Sequence, residues 1–183
     1  MLYVVKYSGP FGFIKPWTAV RDSETFSQQF LTPSIIEGLR QKLEVSEILR
    51  HKITYEAIIR QQEVTQTRGW QYFKTKKYYE RPRAILIRGV MLNPDLYLGF
   101  SNEADAEKAY SQNICLCRNE DVLFPKEMQE RTNVEFNSIE GFELRFKENE
   151  NSFLVGFNRF EDSKPMYGYL EVTGNPLKKG KQL

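Results

Sequence analysis

One histidine, two cysteines and a dense run of cations among aromatic rings are the residues of this 183-residue chain with chemistry to offer. The run extends from Arg68 to Arg88. It holds Arg68, Lys74, Lys76, Lys77, Arg81, Arg83 and Arg88 against a single acid, Glu80, with Trp70, Tyr72, Phe73, Tyr78 and Tyr79 interleaved. Cations hold phosphates, and aromatic faces stack on unpaired bases for about 1–3 kcal/mol per base. Single-stranded RNA is read by that combination more readily than by charge alone. The same composition also fits a solvated hairpin whose rings pack on its own stem or on a protein partner. The position of the run, in a long insertion, favours the RNA reading.

The remaining candidates are sparser. The loop Gly9–Trp17, followed by Arg21, offers Lys15 and Trp17 to a base or sugar and glycines that let backbone amides approach a phosphate. A core loop anchored by Trp17 is an equal alternative. His51 is the only histidine, which removes histidine-pair acid–base chemistry. On a strand it would share a face with Tyr55 at about 13 Å, too far to act as a pair. Cys115 and Cys117 would share a strand face, but structural zinc needs four ligands, so free buried thiols are expected. Glu103, Asp105 and Glu107 read as acids in a first helical turn rather than as metal ligands. No phosphate-binding loop or nucleotide fingerprint occurs, and no cofactor, metal or catalytic set is expected.

Elements that would position these residues follow from periodicity. Leu2–Tyr7 reads as a first strand, ended by Ser8-Gly9-Pro10, and Pro16 bars the next segment from a central strand. Thr32 and Pro33 open a helix whose Ile35, Ile36, Leu39 and Leu43 follow helical spacing, with Gly38 costing about 1 kcal/mol in its middle. From His51 to Val64 the period becomes two, which predicts one long half-buried strand. A second strand, Arg83–Leu92, looks buried on both faces. The 18 residues between them, Thr65 to Pro82, form either an extended two-stranded arm or a mobile loop. A short helix is predicted over Glu103–Tyr110 with Asn102 as its cap. Three strands follow, at Phe142–Phe146, Phe153–Phe157 and Met166–Val172, and Gly174–Leu183 reads as a basic flexible tail.

That order predicts an α+β, ferredoxin-like fold with a mostly antiparallel sheet, in a single domain over residues 1–173. Net charge is only +2, but it is unevenly spread. Residues 1–92 hold 15 Lys and Arg against 8 Asp and Glu, and residues 93–183 hold 11 against 16. This asymmetry suggests one surface turned to nucleic acid and another to solvent or a basic neighbour. Met1 runs straight into Leu2-Tyr3-Val4-Val5-Lys6-Tyr7, which is too short and interrupted for a signal peptide, and no apolar run spans a membrane. A cytoplasmic location is expected.

Several of these segments resemble one family. Leu31-Thr32-Pro33-Ser34-Ile35-Ile36-Glu37-Gly38-Leu39, the strand Ile53–Ile59 and Arg60-Gln61-Gln62-Glu63-Val64 resemble the Cas-five family, a CRISPR-associated RAMP subunit of type I Cascade complexes. Gly9-Pro10-Phe11-Gly12-Phe13 is similar to that family's opening after the first strand. The resemblance covers about residues 1–92. It implies a ferredoxin-like, RRM-type domain with a protruding β-hairpin thumb at about 65–82. It also implies binding of the five-prime handle of a CRISPR RNA, and contact with the Cas-seven backbone subunit and the Cascade large subunit, as a monomer within a hetero-oligomer. Lys15, Trp17, Arg21, Arg60, Arg68, Trp70, Tyr72, Lys74, Lys76, Lys77, Arg81, Arg83 and Arg88 are the expected RNA contacts. The subtype I-C branch cleaves precursor CRISPR RNA with a tyrosine near the end of the first helix and a later lysine–histidine pair. Here that helix ends Gln41-Lys42-Leu43-Glu44-Val45 and no histidine follows His51, so the non-catalytic branch is the better match. The rivals are a metal-independent endoribonuclease and a protein-interaction module of a ribonucleoprotein.

Overall fold

Alternating side chains build the first strand, β1 (Leu2–Ser8), with Val5 and Tyr7 on one face and Leu2 and Val4 on the other. The structure, a computed structural model, describes residues 1–16, 24–65 and 69–177. Trp17, Arg21 and Arg68 lie outside the described residues. After β1 come two short strands, β2 (Phe11–Gly12) and β3 (Glu24–Phe26), and the helix α1 (Pro33–Leu43). Pro33 starts α1 as expected, but the Thr32 hydroxyl caps no backbone amide and pairs instead with the Ser34 hydroxyl at 3.0 Å. Ile36, Leu39 and Leu43 are buried along one side, and Glu44 closes the helix in the left-handed conformation.

The predicted long strand from His51 is two strands, β4 (Arg50–Thr54) and β5 (Ala57–Thr65), which belong to different sheets. The break has a long-range cause. The Tyr55 amide donates to Pro176 O at 3.2 Å and the Glu56 amide to Leu92 O at 2.9 Å, which turns the chain from one sheet to the other. A short hairpin, β6 (Gln71–Phe73) and β7 (Tyr78–Glu80), precedes β8 (Ala84–Leu92). The expectation that this last strand is buried on both faces holds only for Gly89, Val90 and Met91; Ile85 is exposed.

Five further elements follow: β9 (Asp95–Phe100), α2 (Glu103–Tyr110), β10 (Ile114–Cys115), β11 (Val122–Arg131) and α3 (Asn133–Ser138). Asn102 caps α2 by accepting from the Asp105 amide. The chain ends in β12 (Gly141–Arg145), β13 (Phe153–Asn158) and β14 (Lys164–Thr173). The result is α+β with mostly antiparallel sheets. Eight strands run β10-β11-β1-β9-β4-β12-β14-β13, and a second sheet joins β2, β3 and β5 to β8. The pairing of β3 with β8 is parallel. α1 and α2 cover one face, packing Ile36, Leu39, Leu43, Ala106 and Ala109 into a cluster with Val5, Ile53, Leu96, Leu98 and Phe100. α3 covers the other face, where Phe136 packs on Leu2 and Val4. The expected tail does not come free at Gly174: Leu177 bridges Tyr55, and the Thr54 hydroxyl donates to Pro176 O.

β4 carries two buried cations under α3. Arg50 forms a two-pronged pair with Glu143 of β12 at 2.7 and 2.8 Å and lies 4.7 Å from the Phe136 ring centre. Lys52 is fully buried and donates to Asn137 O, Ile139 O and the Thr173 hydroxyl at 2.9, 2.7 and 3.0 Å. All three of its protons are therefore placed, which is what makes a buried ammonium tolerable. Replacing it with methionine strands two carbonyls without a donor. Lys52→Met should lower unfolding free energy by about 2 kcal/mol, read as a shifted urea midpoint with unchanged slope. Gly38 gives the opposite expectation. A methyl group there would meet nothing within 4 Å, so Gly38→Ala should raise stability by about 1 kcal/mol in the same assay.

Candidate nucleic-acid interface

β5 and β8 pair over nine residues, from Ala57 opposite Leu92 to Thr65 opposite Ala84. This ladder is about 27 Å long, and the β6–β7 hairpin occupies its distal connection. The segment Thr65–Pro82 is thus an extended two-stranded arm among the described residues, not a shapeless loop. Gln71, Tyr72 and Phe73 face Glu80, Tyr79 and Tyr78, and the four-residue turn Lys74–Lys77 closes the hairpin. Lys77 takes a positive φ of 51°, and the Lys76 amide donates to Phe73 O at 3.1 Å. Three of the four turn residues are lysines, so the tip is a concentrated positive charge.

Both faces of the hairpin are aromatic. Directly opposed residues share a face, which places Tyr72 with Tyr79 on one side and Phe73 with Tyr78 on the other. Their ring centres lie 4.9 and 5.8 Å apart. These cross-strand pairs stiffen the hairpin, yet every residue from Gly69 to Arg81 remains exposed. Trp70 is 71% and Tyr79 68% exposed. The rings therefore pack on one another and not into the body of the protein. Tyr78 also donates to Glu80 at 2.8 Å, which raises its pKa and ties up the one acid in the cluster.

The expected contact residues fall into three groups. Lys15, Lys74, Lys76, Lys77 and Arg83 are exposed and form no ion pair among the described residues. Arg81, Trp70 and Tyr72 are exposed beside them. Arg60 and Arg88 are engaged internally: Arg60 pairs with Glu24 at 2.9 Å, and half-buried Arg88 pairs with Glu63 at 3.0 Å. Arg88 and Arg118 also each lie over the Phe13 ring, at 5.7 and 5.5 Å from its centre, a contact that periodicity did not reveal. The structure does not gather all the cations in one place. Lys15 follows Ile14, whose carbonyl accepts from the Gln28 amide near Gly89, so it sits roughly 17 Å of strand below the distal end of the ladder.

The loop of Gly9–Pro16 is anchored by Phe13 and Ile14, which are buried. Its glycines serve close packing. A Cβ at Gly9 would lie 2.5 Å from Val122 O, and one at Gly12 would lie 2.6 Å from Leu116. The space beside each is filled by the protein itself, so these glycines do not open a phosphate cradle.

His51 and Tyr55 are core residues. Tyr55 stacks on Phe142 with ring centres 6.1 Å apart, and His51 lies 5.6 Å from the Phe146 ring. His51 Nε2 is buried with no hydrogen-bond partner. Asp105 accepts from the Ser46 amide at 3.0 Å and from its hydroxyl, so this acid has a structural role, while Glu103 and Glu107 are exposed. Among the described residues no group of three or more His, Cys, Asp and Glu is placed to hold a metal ion. No described helix is long and apolar enough to cross a membrane. Compared with models of known families and with curated proteins, the chain matches none.

Burial lowers the His51 pKa to about 4, and the neighbouring Arg50 and Arg145 act in the same direction against Glu143. The folded value lies below the free value of 6.5, so the unfolded chain binds the proton first as pH falls. Stability is complete above pH 6.5 and is lost towards pH 4, by about 3 kcal/mol at most from this residue. His51→Leu should flatten that acid limb in urea unfolding between pH 7 and 4. An unchanged slope would show that other groups drive it.

Proposed function

We propose that this chain binds single-stranded RNA through its arm, with Lys74, Lys76 and Lys77 holding phosphates and Trp70 and Tyr72 stacking on bases. The observation that carries this reading is the hairpin with exposed aromatic rings on both faces and three unpaired lysines at its tip. A partly solvated ring gains most by stacking on another flat apolar surface, and an unpaired base offers one. Arg81 and Arg83 extend the positive track towards the ladder.

The resemblance to the Cas-five family gives the proposal a narrower form. In that form the chain is a non-catalytic, cytoplasmic subunit of a type I Cascade. It holds the five-prime handle of the guide RNA next to the Cas-seven and large subunits. The strand order supports a ferredoxin-like reading of the domain. Taken as β1-α1-β4-β9-α2-β11, the main elements form a β-α-β-β-α-β unit, and their strands lie side by side as β11-β1-β9-β4. The arm then occupies the connection between the second and third strands of that unit. An endoribonuclease built on His51 and Tyr55 has less support, because both side chains are buried away from the arm.

Fluorescence anisotropy with a labelled single-stranded RNA tests the proposal. Reversing Lys74, Lys76 and Lys77 to glutamate should abolish most binding and reduce the steepness of its salt dependence by about two to three phosphate contacts. Trp70→Ala should cost about 1–3 kcal/mol with an unchanged salt slope, separating stacking from charge. Unaltered affinity in both variants would remove the arm as the RNA contact. For the narrower form, protein purified from its native host should carry an RNA of discrete length with a fixed five-prime end.

A further inference from the structure

β5 is the outermost strand of its sheet. It pairs with β8 along all nine of its residues, from Ala57 to Thr65, and with no other strand among the described residues. Its second edge therefore carries a row of backbone amides and carbonyls, none of which has a backbone partner among those residues. Proteins ordinarily guard such an edge with a proline, a bulge, an unpaired charge or a very short strand. β5 has none of these. It holds no proline, its register against β8 is uninterrupted, and its two charges are engaged within its own sheet. Arg60 pairs with Glu24 at 2.9 Å, and Glu63 pairs with Arg88 at 3.0 Å. One face of the strand is also open. Arg60, Gln62 and Val64 are exposed, and Val64, 61% exposed, lies directly opposite Ile85, itself 60% exposed.

We infer that two copies of this chain dimerise by pairing their β5 edges antiparallel, which joins the two four-stranded sheets into one. The sequence of the strand selects a second copy as the occupant. Two identical strands related by a two-fold axis set residue i of one against residue j of the other, and j against i. Opposed residues share a face of the sheet, so the axis must pass through a residue rather than between two. With the axis at Gln61, all nine residues find partners. On the open face Ile58 then meets Val64 and Arg60 meets Gln62, each pair occurring twice. On the other face Ala57 meets Thr65 and Ile59 meets Glu63. No like charges are opposed, the exposed Val64 gains an apolar neighbour, and the Gln62 side-chain carbonyl can accept from the Arg60 guanidinium. Neighbouring registers are worse. A step towards Arg60 sets that residue against itself, and a step towards Gln62 leaves Ala57 and Ile58 beyond the pairing. The ladder stops at Thr65, before the β6–β7 hairpin, and antiparallel alignment sends the two arms in opposite directions.

Sedimentation equilibrium of the full-length chain, over a wide range of concentration, reads the dimer. A mass of about twice 21.6 kDa is expected as concentration rises. Hydrogen exchange under the same conditions locates the contact: alternate amides of β5 should gain protection with concentration, and those of β8 should not change. Gln62 is exposed, so its variants should keep the parent circular dichroism spectrum. Gln62→Arg sets a cation against each Arg60 and should weaken the dimer about tenfold, whereas Gln62→Glu supplies two cross-strand ion pairs and should tighten it by a similar factor. A monomer at every concentration, a dimer that leaves β5 exchange unchanged, or Gln62 variants that associate as the parent does would overturn the inference.

Discussion

The eight-stranded sheet depends on a seam that backbone pairing alone holds weakly. β12 meets β4 through a single paired position, Phe142 opposite Ile53, and β14 and β13 join the sheet only through β12. Side chains supply what the ladder lacks. Arg50 reaches from β4 to grip Glu143 with two parallel bonds, and Lys52 reaches the end of α3 and the last residue of β14. Burying two cations and a carboxylate is costly unless every donor is placed. Here the placement is complete for Lys52, and Arg145 lies 3.7 Å from Glu143 on its other side. Close backbone approach completes the seam. A Cβ at Gly141 would come within 2.9 Å of Ile53 O, and its φ of 153° suits glycine.

This seam also explains where the first half's positive charge goes. Arg50 and Lys52 are spent inside the protein, and Lys6, Arg40, Arg60 and Arg88 are paired with Asp95, Glu37, Glu24 and Glu63. The excess of cations over residues 1–92 is therefore not spread across the surface. Among the described residues of this half, Lys74, Lys76 and Lys77 at the hairpin tip enter no ion pair, and neither do Lys15, Lys42 and Arg83 nearer the body. A modest net charge of +2 thus hides a local field large enough to matter within a Debye length of the arm.

Much of this was legible in the sequence, and the failures have physical causes. β1, α1, α2 and the three final strands follow periodicity closely, and Asn102 caps α2 as expected, whereas Thr32 caps no amide of α1. The division of β4 from β5 was invisible because their alternation runs through Tyr55 in phase, while the break is imposed by Pro176 and Leu92, far away in the chain. β9 went unrecognised although Leu96, Leu98 and Phe100 alternate, because its six residues follow directly on an Asn-Pro turn. β11 offers little apolar pattern, since few of its residues are buried and Pro125 sits at a bulge opposite Tyr7. α3 did leave a signal: Thr132 and Glu135 form a reciprocal capping box ahead of the buried Phe136. The cysteines misled because alternation fixes which residues share a face but not which face is the core. Ile114 and Leu116 claim the inner side, and the thiols take the outer one.

The arm is not alone in exposing large rings, since Phe157 and Phe160 are also exposed, but it combines its rings with a lysine-rich tip. In the core, the rings of Tyr7, Phe100 and Phe136 are fully buried. Around the hairpin five rings stay in water, although a three-pair hairpin gains little stability by itself. Had the rings evolved only to stiffen the hairpin, one aromatic face would suffice and the other would be polar, as in an ordinary solvated ribbon. Rings on both faces leave no solvent side. The tip therefore favours surroundings that contact it from two directions, and its lysines favour surroundings that carry negative charge. A flexible single strand of nucleic acid, with flat bases and a charged backbone, meets both requirements within a few nucleotides, whereas a protein partner would need an acidic cleft lined with apolar walls.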